Sequence, residues 1–143
     1  MESAQFIAAG RSCPVEPADR LRELDFGDFE GRPYDEIAES YPDIYREWME
    51  HPTEVEFPGG ESFKNLADRV NSATRELVAR HSCQQIAFVS HGGPIRVILG
   101  NVLGMQPDDI FRIGQSYGAV NRIRYSGSTG IVELVNSGPE QPL

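Results

Sequence analysis

The fold class of this chain is decided by one stretch, Ile86-Ala87-Phe88-Val89-Ser90-His91-Gly92-Gly93-Pro94-Ile95-Arg96. The short apolar run from Ile86 to Val89 lies between polar residues, which predicts a strand buried on both faces. The two glycines then predict a turn, and Pro94 predicts the first turn of a helix that runs to about Leu103. A buried strand that leads through a tight turn into a helix indicates an α/β protein.

Apolar spacing extends this pattern on both sides of the stretch. It predicts a helix over Phe63 to Val78 and another over Tyr34 to Met49, with Pro42 interrupting or kinking the second. Val120 to Tyr125 and Ile131 to Val135 alternate around a Gly- and Ser-rich turn, which predicts a C-terminal β-hairpin. Three strands make a thin sheet for this much helix. Either further strands escape the pattern, or the fold is missing a piece.

Composition indicates a single globular domain. A length of 143 residues suits one domain, and a 39% hydrophobic fraction with 24% charged residues excludes disordered and fibrous classes. No apolar run approaches the roughly 20 residues that span a bilayer. The first residues, Met1 to Arg11, lack the basic start and apolar middle of a secretory signal. We therefore expect a cytoplasmic protein without a membrane partner.

The charge balance argues against nucleic acid as a partner. The net charge is −9, from 13 basic and 22 acidic residues, so the phosphate backbone of a nucleic acid would be repelled. All the basic residues except Lys64 are arginines, which suit bidentate binding of a phosphate or carboxylate.

Cys13 and Cys83 lack Cys-x-x-Cys spacing and fit reduced thiols. The three histidines show no metal-ligand spacing, so we expect no metal site.

The strongest candidate for chemistry is His91. A histidine that follows a buried strand lies where open α/β sheets bind their ligands. Gly92 and Gly93 let the backbone approach an anion, and the N-terminus of the following helix offers unpaired N–H groups to it. The pattern therefore predicts a phosphate site at His91, Gly92 and Gly93. The alternative is that His91 caps the helix and that the glycines serve only the turn.

A second candidate is Glu23, within the acidic and aromatic segment from Leu21 to Gly31. A carboxylic acid in partly apolar surroundings has a raised pKa and can protonate a leaving group near neutral pH. Glu23 lies between Leu21 and Leu24 and is the best placed of the four acids for this role. A solvated acidic loop is the alternative, and the residues by themselves favour it slightly.

Three other segments have a structural explanation. A turn and a helix start account for the stretch Phe57 to Ser62, which has an acid near the positive end of the helix dipole. Trp48, with its tyrosine neighbours, is better explained as part of a core stripe than as an aromatic pocket. Tyr117 and Asn121, where the hairpin begins, are equally compatible with a place at the site and with a structural role.

Three of these segments, in this order, resemble the histidine phosphatase superfamily, also called the phosphoglycerate mutase-like family. The resemblance runs from about Asp19 to Asn136. The matching segments are Leu21-Arg22-Glu23-Leu24-Asp25-Phe26-Gly27 with Glu30-Gly31, then Pro58-Gly59-Gly60-Glu61-Ser62, then Ser90-His91-Gly92-Gly93. The sequence motif SHGGPIR and the stretch Ser116 to Ile123 are most similar to those of alpha-ribazole-5'-phosphate phosphatases of cobalamin synthesis. Broad-specificity phosphatases and phosphoglycerate mutase-like relatives share these motifs and are the alternatives.

The resemblance implies a three-layer fold and a metal-free, cofactor-free hydrolysis of a small phosphorylated metabolite. A histidine nucleophile takes the phosphoryl group, a glutamic acid protonates the departing alkoxide, and water releases phosphate. The proton donor of the family falls on Glu23, and its second, phosphate-binding histidine falls on His91. Gly92, Gly93 and Arg22 are expected to help hold the phosphate, although Arg22 is also compatible with a structural role.

The chain departs from the family pattern at its start. The family begins with a central strand that ends in an Arg-His-Gly loop, and no Arg-His-Gly occurs in these 143 residues. We therefore expect residues 1–143 to form one N-terminally truncated domain that is inactive in isolation, because losing a nucleophile abolishes nearly all catalysis of this kind. The alternative is a non-catalytic scaffold or assembly module. An open sheet edge invites a homodimer or strand exchange.

Overall fold

The structure is a computed structural model that describes residues 2–138. Within that range it has five α-helices and two β-strands: α1 (Glu2–Ala8), α2 (Tyr34–Ser40), α3 (Pro42–Glu50), α4 (Phe63–Arg80), α5 (Gly92–Leu103), β1 (Val120–Ser126) and β2 (Thr129–Ser137). Short 3₁₀ turns lie at Asp19–Leu21, Gly27–Phe29 and Pro107–Arg112. The predicted combination of helices with a C-terminal hairpin is confirmed.

Two helices, α4 and α5, form the first core. The hydroxyl of Ser62 accepts the N–H of Asn65 at 3.2 Å and so caps the start of α4. Apolar residues spaced three and four apart then turn one face of α4 towards α5. The buried members of this core are Leu21, Phe63, Leu66, Val70, Ala73, Val97, Ile98 and Ile110. Both predicted helices are confirmed.

The second core lies under α2 and α3. Pro42 is the first residue of α3, because a ring without an N–H cannot continue the hydrogen bonds of α2. The interruption predicted at this proline is therefore confirmed. The buried members of the second core are Phe29, Ile37, Val55 and Phe57. Leu24 packs against both cores and so joins them.

The hairpin packs against α5 through β2. The two strands pair antiparallel, with Ser126 opposite Thr129 and Tyr125 opposite Gly130. Gly130 lies against the side chain of Val102, where an added Cβ would crowd the valine methyls. The outward face carries Arg122 and Arg124, whose guanidinium groups pair with Glu133.

The strand predicted over Ile86 to Val89 is wrong for this structure. Residues 85–90 run without a turn, bend or helix, but they pair with no strand within residues 2–138. Ile86 and Val89 are 39% and 43% exposed rather than buried on both faces. A strand exists only through hydrogen bonds to a neighbour, and the described residues place none beside this segment.

None of the described helices is both long and apolar enough to cross a membrane.

Candidate functional site

Glu23 lies against the first turn of α5. The backbone N–H of Gly93 donates to Oε2 of Glu23 at 3.3 Å, and the N–H of Leu24 donates to Oε1 at 2.9 Å. A Cβ at position 93 would overlap Oε1, so the carboxylate approaches this closely only because residue 93 is glycine. Two residues 70 positions apart in the sequence are thus brought together. The side chain is half-buried rather than part of a fully solvated loop.

His91 precedes the same helix turn. It is the N-cap residue of α5 and has extended backbone, with φ −114° and ψ 173°. Its carbonyl accepts the N–H of Ile95 at 3.1 Å, while its imidazole makes no capping hydrogen bond. The ring is exposed at the helix N-terminus, where the backbone N–H groups give a partial positive charge. The alternative in which the ring caps the helix does not describe this geometry.

Ser90 links the segment that carries Glu23 to the start of α5. Its hydroxyl donates to the carbonyl of Leu21 at 2.6 Å, which joins the residue before His91 to the segment that carries Glu23. Leu21 is itself buried in the first core. Because the segment is anchored by Leu21 on one side of Glu23 and by Leu24 on the other, the position of the carboxylate is set by apolar packing.

Arg69, on α4, holds the backbone of the Glu23 segment. Its guanidinium donates to the carbonyls of Arg20 at 3.0 Å, Arg22 at 2.8 Å and Glu23 at 2.9 Å. It also forms a bidentate pair with Glu61, in which Nε lies 3.0 Å from Oε2. The side chains of Arg69 and Glu61 are only 16% and 12% exposed. Sequence reasoning did not assign this pair a role, because eight residues separate its members and no local pattern links them.

Burial and hydrogen bonding act against each other on Glu61. Burial raises the pKa of its carboxyl, but hydrogen bonds from Arg69 and from the backbone N–H of Asp25, together with the charge of Arg69, outweigh burial. The net result is a pKa below the ordinary value of 4.5. Glu61 is thus ionised at neutral pH and fixes the loop through its pair with Arg69.

Close backbone packing brings that loop against the acidic segment. The N–H of Asp28 donates to the carbonyl of Pro58 at 2.8 Å, and the N–H of Glu61 donates to the carbonyl of Asp25 at 3.0 Å. Any Cβ at Gly27 or Gly60 would overlap the facing backbone. The two glycines therefore serve contact between the loops rather than contact with a ligand.

The two arginines nearest the helix start are placed differently. The guanidinium of Arg22 is exposed and lies 3.8 Å from the carboxylate of Asp25. Arg96 donates from Nε to the carbonyl of Ile113 at 2.9 Å. Its Nη1 lies 2.8 Å from the position of a Cβ on Gly92. Of the two, the structure shows Arg96 alongside Gly92, and its spacing of four residues along the helix was the signal for it.

The other candidates from the sequence, Asn121, Tyr117 and Trp48, have different surroundings. Asn121 exchanges two side-chain hydrogen bonds with Gln115, at 2.8 and 3.1 Å, and accepts the backbone N–H of Asn136. Tyr117 is fully exposed. Trp48 packs on the second core, as a core stripe predicts, and also lines an open pocket with Phe26.

Metal-ligating side chains do not cluster in the part of the chain that the structure describes. No group of three or more His, Cys, Asp or Glu residues within residues 2–138 is arranged to hold a metal ion. Cys13 and Cys83 are both free and exposed.

Comparison with known proteins gives one consistent result. Residues 1–138 match the model of the histidine phosphatase superfamily (branch 1). Phosphoserine phosphatase 1 of Hydrogenobacter thermophilus is 35% identical over 108 residues, which are 76% of this chain and 51% of that protein. The solved structure of YhfR from Bacillus stearothermophilus has a TM-score of 0.89 at 27% identity, over 96% of this chain and 69% of that one.

A likeness of fold alone extends to the alpha-ribazole phosphatase from Shigella flexneri. Its TM-score is 0.83 at 23% identity, over 97% of this chain and 70% of that one. These likenesses confirm the predicted phosphoglycerate mutase-like fold. The chain spans roughly half the length of the curated relatives it matches, 51%, 58% and 42% for three of them.

Proposed function

The chain belongs to the histidine phosphatase superfamily, and on that premise we propose that it carries the phosphate-binding and proton-donating part of a phosphomonoester hydrolase site. The observation that carries the proposal is the contact between Glu23 and the N–H of Gly93, at the helix turn that His91 precedes. This contact supports the proposal because it joins an acid to a backbone donor of the turn that follows His91.

The phosphate of the substrate binds at the N-terminus of α5. The N–H of Gly92 and the ring of His91 donate to its oxygens, and the helix dipole favours its negative charge. The N–H of Gly93 donates to the phosphate once it releases Oε2 of Glu23. The guanidinium of Arg96, beside Gly92, adds a positive charge, and the exposed guanidinium of Arg22 stays a second proposed phosphate ligand. A phosphate held in this way has the carboxyl of Glu23 within hydrogen-bonding reach, because that carboxyl already contacts Gly93.

Glu23 acts as general acid on the leaving group. As a nucleophile bonds to phosphorus, the bond between phosphorus and the ester oxygen breaks, and the departing alkoxide takes the proton of the Glu23 carboxyl and leaves as an alcohol. A positioned acid of this kind contributes roughly a hundred- to ten-thousand-fold in rate. Ser90 and Arg69 keep the carboxyl in place through the carbonyls of Leu21 and Glu23.

The isolated chain is expected to hydrolyse phosphate esters at a negligible rate. Its 143 residues include no Arg-His-Gly segment, which supplies the nucleophile in the family pattern. Without a nucleophile the remaining groups bind phosphate but form no phosphohistidine. A non-catalytic, anion-binding scaffold is therefore the second candidate function for these 143 residues, because they contain no Arg-His-Gly segment.

Two substrates are proposed for the site. The sequence motif SHGGPIR favours alpha-ribazole 5'-phosphate. Phosphoserine is the second, because a phosphoserine phosphatase is 35% identical over three quarters of the chain.

Phosphate binding tests the site directly. We expect inorganic phosphate to shift the backbone amide resonances of Gly92 and Gly93 in a saturable way, and His91→Ala to weaken that binding. The amides of Gly104 and Gly118 serve as internal controls, because both glycines lie outside the proposed site. Equal shifts at all four glycines, or no shift at Gly92 and Gly93, would contradict the proposed phosphate site.

Hydrolysis of an aryl phosphate in the presence of a chelator tests the catalytic statement. We expect the purified chain to show no turnover above that of His91→Ala. Turnover that disappears in His91→Ala would contradict the expected inactivity and would make His91 the nucleophile. Titration of the Gly92 and Gly93 amides with alpha-ribazole 5'-phosphate and phosphoserine then ranks the two substrates.

A further inference from the structure

Glu23 holds one of the backbone donors that the proposed phosphate needs. Oε2 of its carboxylate accepts the N–H of Gly93 at 3.3 Å. Gly93 is the second residue of α5, and the N–H groups in the first turn of a helix are the donors that bind anions at such a position. The carboxylate therefore lies where an anionic oxygen of the phosphate binds, and the two anions compete for one donor.

A second donor holds the carboxylate from the other side. The N–H of Leu24 donates to Oε1 of Glu23 at 2.9 Å. The backbone that carries this donor is fixed, because Leu24 packs against both cores and Arg69 donates to the carbonyl of Glu23. When Oε2 loses the N–H of Gly93, Oε1 keeps that of Leu24. The side chain thus stays beside the bound phosphate instead of turning into solvent.

Two negative groups then face each other without a donor between them. Repulsion between like charges a few ångströms apart favours the protonated form of a carboxyl group. Once Oε2 carries a proton, this oxygen donates to an oxygen of the phosphate and replaces the hydrogen bond that it lost. Oε1, now the carbonyl oxygen, still accepts the N–H of Leu24. One proton from solvent therefore converts a repulsive contact into a hydrogen bond.

Other charged or titratable groups lie on the elements packed around Glu23. They are Arg22 and Asp25 on its own segment, Glu61 on the neighbouring loop, Arg69 on α4, and His91 and Arg96 at the start of α5. Arginines keep their charge between pH 5 and pH 7. The pair with Arg69 lowers the pKa of Glu61, so this acid stays ionised there. A proton taken up when phosphate binds therefore resides on Glu23, Asp25 or His91, and the test has to separate these three.

From these contacts we propose that phosphate binding at the start of α5 displaces Oε2 of Glu23 from the N–H of Gly93, and that the displaced carboxylate takes up one proton from solvent. Binding of the phosphate thereby supplies Glu23 with the proton that a general acid gives to the leaving group. The coupling rests on the proposed phosphate site. By linkage, the anion binds more tightly as the pH falls through the range in which Glu23 takes up its proton.

Calorimetric titration with sulfate tests the coupling. Sulfate stays a dianion from pH 5 to pH 7, so any proton taken up on binding goes to the protein. At pH 5 an ordinary glutamate is still mostly ionised and an ordinary imidazole is mostly protonated, because their pKa values are about 4.3 and about 6.5. Titrations in two buffers with different enthalpies of protonation count the protons. We expect more than about half a proton per sulfate in the wild-type protein, and almost none in Glu23→Gln.

Asp25→Asn is the matched control. Asp25 is a half-buried acid two residues from Glu23, and it accepts the N–H of Gly27 rather than one from α5. We expect Asp25→Asn to keep the proton uptake of the wild-type protein. At pH 7 we expect Glu23→Gln to bind sulfate about tenfold more tightly than the wild type, because the competing negative charge is gone.

The carboxyl carbon resonance of Glu23, which moves on protonation, assigns the proton in the wild-type protein without any variant. Sulfate binding without proton uptake would overturn the coupling and leave the phosphate site standing. So would an uptake that Glu23→Gln retains or Asp25→Asn abolishes, or a Glu23 resonance that sulfate leaves unchanged at pH 5. If no sulfate binds, the proposed phosphate site and the coupling both fail.

Discussion

The Glu23 carboxylate can approach residue 93 closely only because Gly93 has no side chain. Helix positions normally favour alanine over glycine by about 1 kcal/mol, yet here an added Cβ would overlap Oε1 of Glu23. The contact with Leu66, 3.6 Å from the same Cβ position, is ordinary van der Waals distance. The carboxylate alone therefore accounts for the glycine.

A double-mutant cycle tests this explanation. In the wild-type background, Gly93→Ala should fail to stabilise the protein, because the carboxylate of Glu23 must move out of its hydrogen bond. In a Glu23→Ala background the same substitution should raise the free energy of unfolding by up to about 1 kcal/mol, because Gly93 lies in the first turn of α5. Urea denaturation of the four proteins measures both values. An equal effect of Gly93→Ala in the two backgrounds would refute the assigned contact.

At the scale of elements, Arg69 attaches α4 to the segment that carries Glu23. One guanidinium serves three backbone carbonyls and one carboxylate, so its removal leaves a buried acid and three acceptors without their donor. The helix itself does not need this arginine, because α4 is capped by Ser62 and packed through its apolar face. What Arg69 determines is the position of the neighbouring chain segment.

Replacing Arg69 by methionine should therefore destabilise the fold strongly. We expect Arg69→Met to lower the free energy of unfolding by about 3 kcal/mol, as for other buried pairs that lose one partner. Arg80→Met is the matched control on the same helix, because Arg80 pairs with Glu76 at the exposed surface and should have little effect. Denaturant melts compare the two variants, and similar losses in both would contradict the role given to Arg69.

For the whole molecule, the Arg69–Glu61 pair makes the free energy of unfolding depend on pH at acidic values. The pKa of Glu61 in the folded protein lies below 4.5, so the stabilisation from its ionised form is complete above about pH 4.5. It is lost as the pH falls through the lowered folded value. Hydrogen bonds from Arg20 and Arg124 lower the pKa of the exposed Glu76 and Glu133 in the same direction. High salt weakens those surface pairs more than the buried one.

Unfolding measured from pH 7 to pH 3 at high salt separates these contributions. We expect Glu61→Gln to unfold with a weaker dependence on pH than the wild-type protein, because one group no longer takes up a proton on unfolding. Glu133→Gln should keep the wild-type dependence under the same conditions. If Glu61→Gln loses stability with acid as steeply as the wild type, Glu61 is not the group responsible.

Local patterns in the sequence predicted most of the helices and the hairpin, whereas the resemblance to a family was needed to single out Glu23. Apolar spacing over Phe63 to Val78 is enough to predict α4, because helical hydrogen bonds form within the segment itself. The break at Pro42 is also predictable from the sequence, because proline has no N–H to continue the hydrogen bonds of a helix. The sequence motifs shared with the family predicted that Glu23 and His91 belong to one site. In the structure, Glu23 contacts the turn that follows His91.

Features that depend on a distant partner could be seen only in the folded structure. Residues 86–89 have the composition of a strand, but a strand forms only where a neighbouring backbone pairs with it, and none of the described residues does so. The Arg69–Glu61 pair and the place of Arg96 beside Gly92 likewise depend on how chain segments meet. Hydrophobic periodicity records which face of an element is buried, whereas it carries no record of which polar groups meet across that face.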